Sequence, residues 1–240
     1  LDWAKPKRHI QLSPQPFLKS NIRHPDVYDI AIVGGGVTGT AQAYVFTHFI
    51  RGVSKVLLLE KNQDVALVNS NTDANAQTAH GGDTETNFSL EKALKMRDAE
   101  HLLASFLEKD GDNDGAFRRL WKMAFGVGKD EVHIIKERFK MIRSYYPTLE
   151  LLDPEGIRRI APKLLEGRDS GVEVAALYRP NGYSVDYHKV SKRLFGKAME
   201  SGKLDSFFKT KTRRIIRKNG LYEIRTNNGV YLARAVSVAA

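Results

Sequence analysis

At 240 residues with a formal net charge of +10 and no cysteine, the chain can bury a core but cannot carry a disulfide framework, a thiolate metal site or a cysteine nucleophile. Hydrophobic residues at 42% and charged residues at 28% belong to a globular chain, not a disordered one. No run approaches the roughly eighteen apolar residues of a membrane-crossing helix. The basic excess leaves three readings: nucleic acid, an anionic membrane surface met peripherally, or no specific partner. Lys and Arg are scattered and no nucleic-acid motif accompanies them, which sets the first aside.

Residues 1–25 hold Pro6, Pro14, Pro16 and Pro25, several basic residues and one acid, Asp2. They read as an irregular basic arm, either a flexible extension or the remnant of a targeting sequence. Asp29 to Val33 is a short apolar, β-branched run that ends on Gly34, Gly35 and Gly36, with Gly39 three residues on. That is G-x-G-x-x-G between a strand and a helix, where a tight turn, close approach to a pyrophosphate and close helix packing all favour glycine. The helix N-terminus then faces the phosphates with free N–H groups.

Val37 to Ile50 has apolar residues at Val37, Ala41, Tyr44, Val45 and Phe49, the spacing of one helical face. Ser54 to Glu60 (SKVLLLE) reads as the second strand. Glu60 lies twenty-one positions past Gly39, where a strand-tip carboxylate can accept hydrogen bonds from both ribose hydroxyls. The polar stretch Asp64 to Asn87 interrupts the strand–helix alternation of an ordinary nicotinamide-binding domain. A loop of that length in a compact domain is usually functional, and its amide and hydroxyl side chains suit an extended polar ligand.

Leu90 to Leu107 has strong helical periodicity, and its His101 reads as a surface group. Asp110 to Gly115 (DGDNDG) matches the first half of a calcium loop, but the twelfth position is Trp121 instead of Glu and the ninth is Arg118. It reads as a solvated turn, and no metal site is expected. Phe117 to Phe125 and Lys129 to Tyr146 read as two further helices, and Leu151 to Leu165 as a helix started by Asp153-Pro154-Glu155 and ended by Pro162. Gly171 to Tyr178 and Gly182 to Val185 look extended, and Ser184 to Ser201 is a capped amphipathic helix. The runs Leu204 to Phe208, Thr212 to Ile216, Leu221 to Thr226 and Val230 to Ala240, punctuated by Asn219-Gly220 and Asn227-Asn228-Gly229, form a small antiparallel β-meander. Its last part, Arg234 to Ala240, has the pattern of a buried strand.

These pieces together resemble the FAD-dependent oxidoreductases of the D-amino-acid-oxidase-like superfamily, and most closely its malate:quinone oxidoreductases. The likeness rests on GGGVTG, on Glu60-Lys61, and on NSNTDANAQTAHGGDTETNFSLEKA at Asn69 to Ala93. LDPEGIRRIAPKLLEGR and ALYRPNGYSVDY add to it, and it spans about Tyr28 to Ala240. The resemblance implies an α/β fold, a Rossmann-like FAD-binding domain with a parallel sheet, inserted helices at about 90–165 and the meander. It also implies that the domain at 26–240 is incomplete at its C-terminal end and that the substrate-binding region lies largely beyond it.

The implied cofactor is FAD, its pyrophosphate on Gly34, Gly36 and Gly39 and its adenosine ribose on Glu60, with Lys61 and Ser70 beside them. Asn71, Asn75, Gln77, Thr78 and His80 would lie along the flavin, and Thr212 would offer a backbone contact to adenine. The implied reaction is oxidation of malate with electrons passed to quinone, at the cytoplasmic face of a cell membrane or the mitochondrial inner membrane. Removing the hydroxyl proton of a 2-hydroxy acid asks for a base, for which His80 is the candidate, and Arg179 is the candidate partner for a substrate carboxylate. The alternatives are another flavoenzyme of the superfamily acting on a 2-hydroxy acid or an amino acid, and a non-catalytic nucleotide-binding fragment.

Overall fold

The computed structural model describes residues 26–110 and 115–239. The arm read at 1–25 and most of the Asp110–Gly115 turn lie outside them. Two sheets organise the chain. The larger has the order β6-β2-β1-β9-β8-β7, built from β1 (Val27–Val33), β2 (Val56–Leu59), β6 (Leu204–Phe207), β7 (Thr212–Lys218), β8 (Leu221–Thr226) and β9 (Val230–Val238). β6, β2, β1 and β9 run parallel, and β9, β8 and β7 form the antiparallel meander. The smaller sheet, β3-β5-β4, is antiparallel, with β3 (Phe117–Val127), β4 (Glu150–Leu152) and β5 (Val174–Val185).

Alternate residues of β1 and β2 serve opposite faces, as a strand's period of two requires. Ile32, Val56 and Leu58 pack with Ala43 of α1 (Val37–His48) and Ala198 of α5 (Tyr187–Glu200). Ala31, Leu57 and Leu59 pack on the other side against Ile224 and Ala233 of the meander. All four residues of β2 are buried, which explains its unbroken run of apolar side chains. The smaller sheet carries α3 (Gly128–Ile142), whose Val132, Ile135 and Ile142 meet Ala175 and Leu177 of β5. The long α2 (Leu90–Asp110) joins the two halves, with Leu107 in a cluster with Val185, Val190 and Leu194.

Several expectations need correction. Phe117 to Phe125 is a strand, not a helix. Arg, Leu, Lys, Met and Ala favour helix intrinsically, but ten backbone pairings with β5 override that preference. The region 90–165 therefore mixes α2, α3 and α4 (Pro154–Ile160) with β3 and β4. The two extended pieces around Pro180-Asn181-Gly182 are one twelve-residue strand, β5. Leu204–Phe207 stands apart from the meander, at the opposite edge of the large sheet beside β2.

The buried face of α1 is Gly39, Thr40, Ala43 and Thr47, while Val45 and Phe49 are exposed. Small residues sit under the helix because it packs tightly on β1, and the larger apolar ones fall elsewhere. β9 lies between β1 and β8, yet only Ala233 is buried among its residues, so Arg234 to Val238 is central by hydrogen bonding and not by burial.

The start of α4 was legible, whereas α5 begins at Tyr187 and not at Ser184, which with Val185 belongs to β5. Asp153 caps α4 by accepting from Gly156 N–H, and Asp186 caps α5 by accepting from His188 and Lys189 N–H. Asp186 also accepts from Thr72 Oγ1 at 3.1 Å, tying the polar loop to α5. Asp186→Ala is expected to lower stability by about 1–2 kcal/mol, read as a lower urea midpoint with an unchanged slope.

Candidate functional site

A cleft of about 520 Å³ opens where β1 and β2 end, within the size range of small-molecule sites. Gly34 to Gly36 form its floor, Glu60, Lys61 and Asn62 one side, and residues 66–70 with Asn75 the other. Lys211 and Thr212 of the meander edge and Tyr187 of α5 complete it. Gly34 has φ +111°, a conformation that L side chains rarely adopt. Gly39 sits behind the turn, not in the cleft: a Cβ there would lie 1.9 Å from the Gly34 carbonyl oxygen.

α1 begins at this floor with Gly36 as N-cap, no side-chain cap and no acid in its first turn. Ser70 Oγ accepts from Val37 N–H at 2.9 Å, holding the loop against the helix start. The positive end of the helix dipole, with Lys61 and Lys211 at the cleft margin, makes the floor a place for a bridging phosphate. Thr212 Oγ1 is buried at the cleft without a hydrogen-bond partner. A helix N-terminus with two cations at the cleft margin, and an unsatisfied hydroxyl at the meander edge of the same cleft, fit a polar, anionic dinucleotide.

Glu60 is 6% exposed, and its two oxygens divide their work. Oε2 accepts from Gly35 N–H at 2.6 Å, and Oε1 accepts from Asn62 N–H at 2.8 Å and from its side-chain amide at 2.7 Å. The carboxylate thus braces the glycine turn while its remaining lone pairs stand at the cleft wall.

The polar loop is largely satisfied by itself. Asn75 Nδ2 donates to Asn71 O at 2.9 Å, Gln77 Nε2 donates to Thr72 O at 2.5 Å, and Gln77 N–H donates to Asn75 Oδ1 at 2.9 Å. Beyond the cleft the loop runs along β5. Val185 N–H donates to Gln77 O, Ala79 N–H to Tyr183 O, and Tyr187 OH to Thr78 O. Of the expected site residues, Gly34, Gly36, Glu60, Lys61, Ser70, Asn75 and Thr212 line the cleft. Asn71, Gln77, Thr78 and His80 lie on the same loop outside it. Asn62, Tyr187 and Lys211 line it and were not singled out from the sequence; Lys211, adjacent to Thr212, was the one with a legible signal.

Arg179 does not line the cleft. It is 8% exposed, with Nη1 2.5 Å from Asp83 Oδ2 and 2.7 Å from Glu100 Oε2. Asp83 is fully buried, so the guanidinium is committed to internal carboxylates and the geometry gives no support to a substrate contact. The Glu100 approach is off the direction of the N–H bonds, leaving both Glu100 oxygens without a hydrogen bond. Burial pushes the Glu100 carboxyl above the usual carboxylate range, against the pull of Arg179. Lys122 on β3 lies 3.7 Å from Asp83 and 3.9 Å from Glu85. His80 Nδ1 lies 2.7 Å from Glu85 Oε1.

The protein family described as DAO, FAD dependent oxidoreductase, matches residues 29–240. A relative named "Probable malate:quinone oxidoreductase" from Campylobacter jejuni is 29% identical over 228 residues, covering 89% of this chain and 49% of its own length. Among solved structures, glycine oxidase from Geobacillus kaustophilus matches with a TM-score of 0.72 at 19% identity, over 89% of this chain and 55% of that one. L-α-glycerophosphate oxidase from Mycoplasma pneumoniae, with FAD bound, matches with a TM-score of 0.61 at 20% identity, over 88% of this chain and 53% of that one. The chain spans about half the length of the relatives it matches.

Proposed function

Because the chain belongs to the DAO family of FAD-dependent oxidoreductases, with FAD as its cofactor, we propose that the whole protein oxidises malate to oxaloacetate and passes the electrons to a quinone. The observation that carries this reading is the relative named for that activity, aligned over 89% of this chain. The alternative, a 2-hydroxy-acid or amino-acid oxidase of the same family, is the other outcome of the test below.

In this reading the dinucleotide lies in the cleft. The Gly34–Gly36 turn and the start of α1 take the pyrophosphate, Lys61 and Lys211 balance its charge, and Glu60 takes the adenosine ribose. Thr212 meets the adenine end. When bound, FAD supplies a two-electron acceptor. The chain's own residues bind and orient it: residues 66–70 and Asn75 form one wall of the cleft, and hydrogen bonds within the loop from Asn71 to Gln77 brace that wall. The domain at 26–240 is then the cofactor-binding part of a longer enzyme, with substrate-gripping groups largely supplied elsewhere. Among the described residues no helix is long and apolar enough to cross a membrane. Contact with the quinone is therefore read as peripheral, favoured by the +10 charge against anionic lipid.

The test is steady-state assay of the full-length protein with malate and a quinone analogue, against 2-hydroxyglutarate and amino acids with oxygen. Malate-dependent quinone reduction is expected. Its absence, with turnover of another acid, would move the assignment to the alternative. Glu60→Ala is expected to weaken FAD binding about 10- to 100-fold, since hydrogen bonds to a charged group contribute about 1.5–3 kcal/mol. Unchanged flavin content after dialysis would remove Glu60 from the ribose site.

A further inference from the structure

The segment Ala79 to Asp83 is held from beneath at almost every residue. Lys122 Nζ donates to Ala79 O at 2.8 Å, Tyr146 OH to Gly81 O at 2.9 Å, and Arg138 Nη2 to Gly82 O at 2.7 Å. Arg179 grips Asp83 as described above. Three of these four groups are cations at least nine-tenths buried, and burial pushes the Tyr146 phenol up to about 12, so it stays a donor at neutral pH.

Gly81 and Gly82 leave no room for a side chain. A Cβ on Gly81 would lie 2.3 Å from Arg179 Nη1, and one on Gly82, at φ +81°, 2.4 Å from Ala93 O. Within this clamped segment every residue but one is buried. The exception is His80, whose side chain is 53% exposed. Buried ion pairs are poor value as stability alone. Three buried cations and a buried phenol converging on one short loop make sense as a device that fixes what the loop displays.

We infer that Glu85 is a positioning residue that holds the His80 imidazole with Nε2 free to accept a proton, and that the buried clamp fixes this presentation. The inference rests on the oxidoreductase reading above. A carboxylate only accepts hydrogen bonds, so the imidazole nitrogen 2.7 Å from Glu85 Oε1 is the one that carries hydrogen. Nε2 then keeps its lone pair.

Glu85 is itself set in place. Its side chain is 13% exposed, Lys122 Nζ is 3.9 Å away, and Oε2 is buried without a partner. The loop that leaves the cleft at Asn75 reaches His80 five residues later. With a 2-hydroxy acid, the O–H bond breaks toward Nε2 and its electron pair becomes the second carbon–oxygen bond. The C–H pair would leave as hydride for the two-electron acceptor that FAD would supply when bound, giving the 2-oxo acid, and His80 would hold the hydroxyl proton.

The charged groups around this dyad are Asp83 on the loop, Lys122 from β3, Glu100 from α2, Arg138 from α3 and Arg179 from β5. The test uses full-length, FAD-loaded protein with ¹⁵N-labelled histidine, His80→Gln serving to assign the His80 signal. The expected tautomer carries hydrogen on Nδ1 in the wild type, and Glu85→Gln is expected to let the Nε2–H tautomer populate, because an amide can donate as well as accept whereas a carboxylate only accepts. In kinetics, His80→Gln is expected to lower kcat/KM by about 10²- to 10⁴-fold. Glu85→Gln should lower it about 10- to 100-fold, the scale on which a lost orienting partner acts, in step with the change of tautomer seen by NMR.

A purely structural Glu85 would lower flavin content or Tm and leave the His80 tautomer in Glu85→Gln as it is in the wild type. That result, or a His80→Gln variant with wild-type kcat/KM, overturns the proposal. If malate is not oxidised, the function reading falls by itself, and the His80 tautomer together with the acid that is turned over still decides the dyad.

Discussion

Arg179→Met is expected to destabilise the full-length protein by about 3–5 kcal/mol, the range found when one partner of a buried ion pair is removed. The guanidinium sits between Asp83 and Glu100, which are 0% and 4% exposed. Taking it away leaves Asp83 fully buried with its charge uncompensated except by Lys122 at 3.7 Å. A thermal scan should show Tm falling by several degrees, and a variant within one degree of wild type would mean that water reaches the network.

Glu100→Gln should behave differently at the same contact. Because the folded state raises the Glu100 pKa, this group favours folding most below its unfolded pKa, and that contribution is lost as pH rises through the folded value. The neutral amide does not ionise, so the variant is expected to gain stability relative to wild type between acid and neutral pH. A difference that stays flat with pH would show that Arg179 fully compensates the charge.

Gly39→Ala is expected to lower FAD affinity by about a hundredfold or more. The added methyl would meet the Gly34 carbonyl oxygen at 1.9 Å, and both atoms belong to structure that cannot swing aside as a side chain could. The start of α1 must move away from the β1 turn. Overpacking of this kind costs about 1–3 kcal/mol, and the displaced N–H groups give up charge-assisted bonds to the pyrophosphate. Purified protein should be nearly colourless after dialysis, and full flavin occupancy would show that α1 can shift without losing the phosphate site. Gly36, by contrast, has φ −73°, and a Cβ there meets only Ser70 Oγ at 3.3 Å, so Gly36→Ala should weaken binding less.

The glycine turn and the acidic wall of the cleft were legible because they are written in a local backbone pattern. A strand, three glycines and a helix can do few other things at that spacing, and Glu60 follows at the tip of the next strand. Thr212 and Ser70 were legible only through the likeness to a family, since nothing local marks a threonine or serine as facing a cleft. Lys211 and Tyr187 reach it from elements more than a hundred residues away, and no local pattern reports such a meeting.

The smaller sheet was the least legible part of the fold. Phe117 to Val127 carries good helix formers, and its strand conformation comes from pairing with β5, some sixty residues on. β5 in turn runs straight through Pro180-Asn181-Gly182, which reads locally as a turn. Non-local pairing decides both cases, because a strand's backbone groups are satisfied only by its neighbours, whereas a helix satisfies its own.

The sequence by itself determined the glycine turn, the acidic strand tip and the capped start of α4, because each is written in a short local pattern, and it carried the likeness to the family in longer stretches such as Asn69 to Ala93. It also nominated His80 and Arg179 as the groups with reactive or ion-pairing chemistry. Only the tertiary structure separated them. Packing of α2, β3, α3 and β5 around Ala79 to Asp83 commits Arg179 to two internal carboxylates and leaves His80 exposed against Glu85. Burial and partner choice are properties of residues brought together from across the chain, and they decide which charge is structural and which imidazole is presented to solvent.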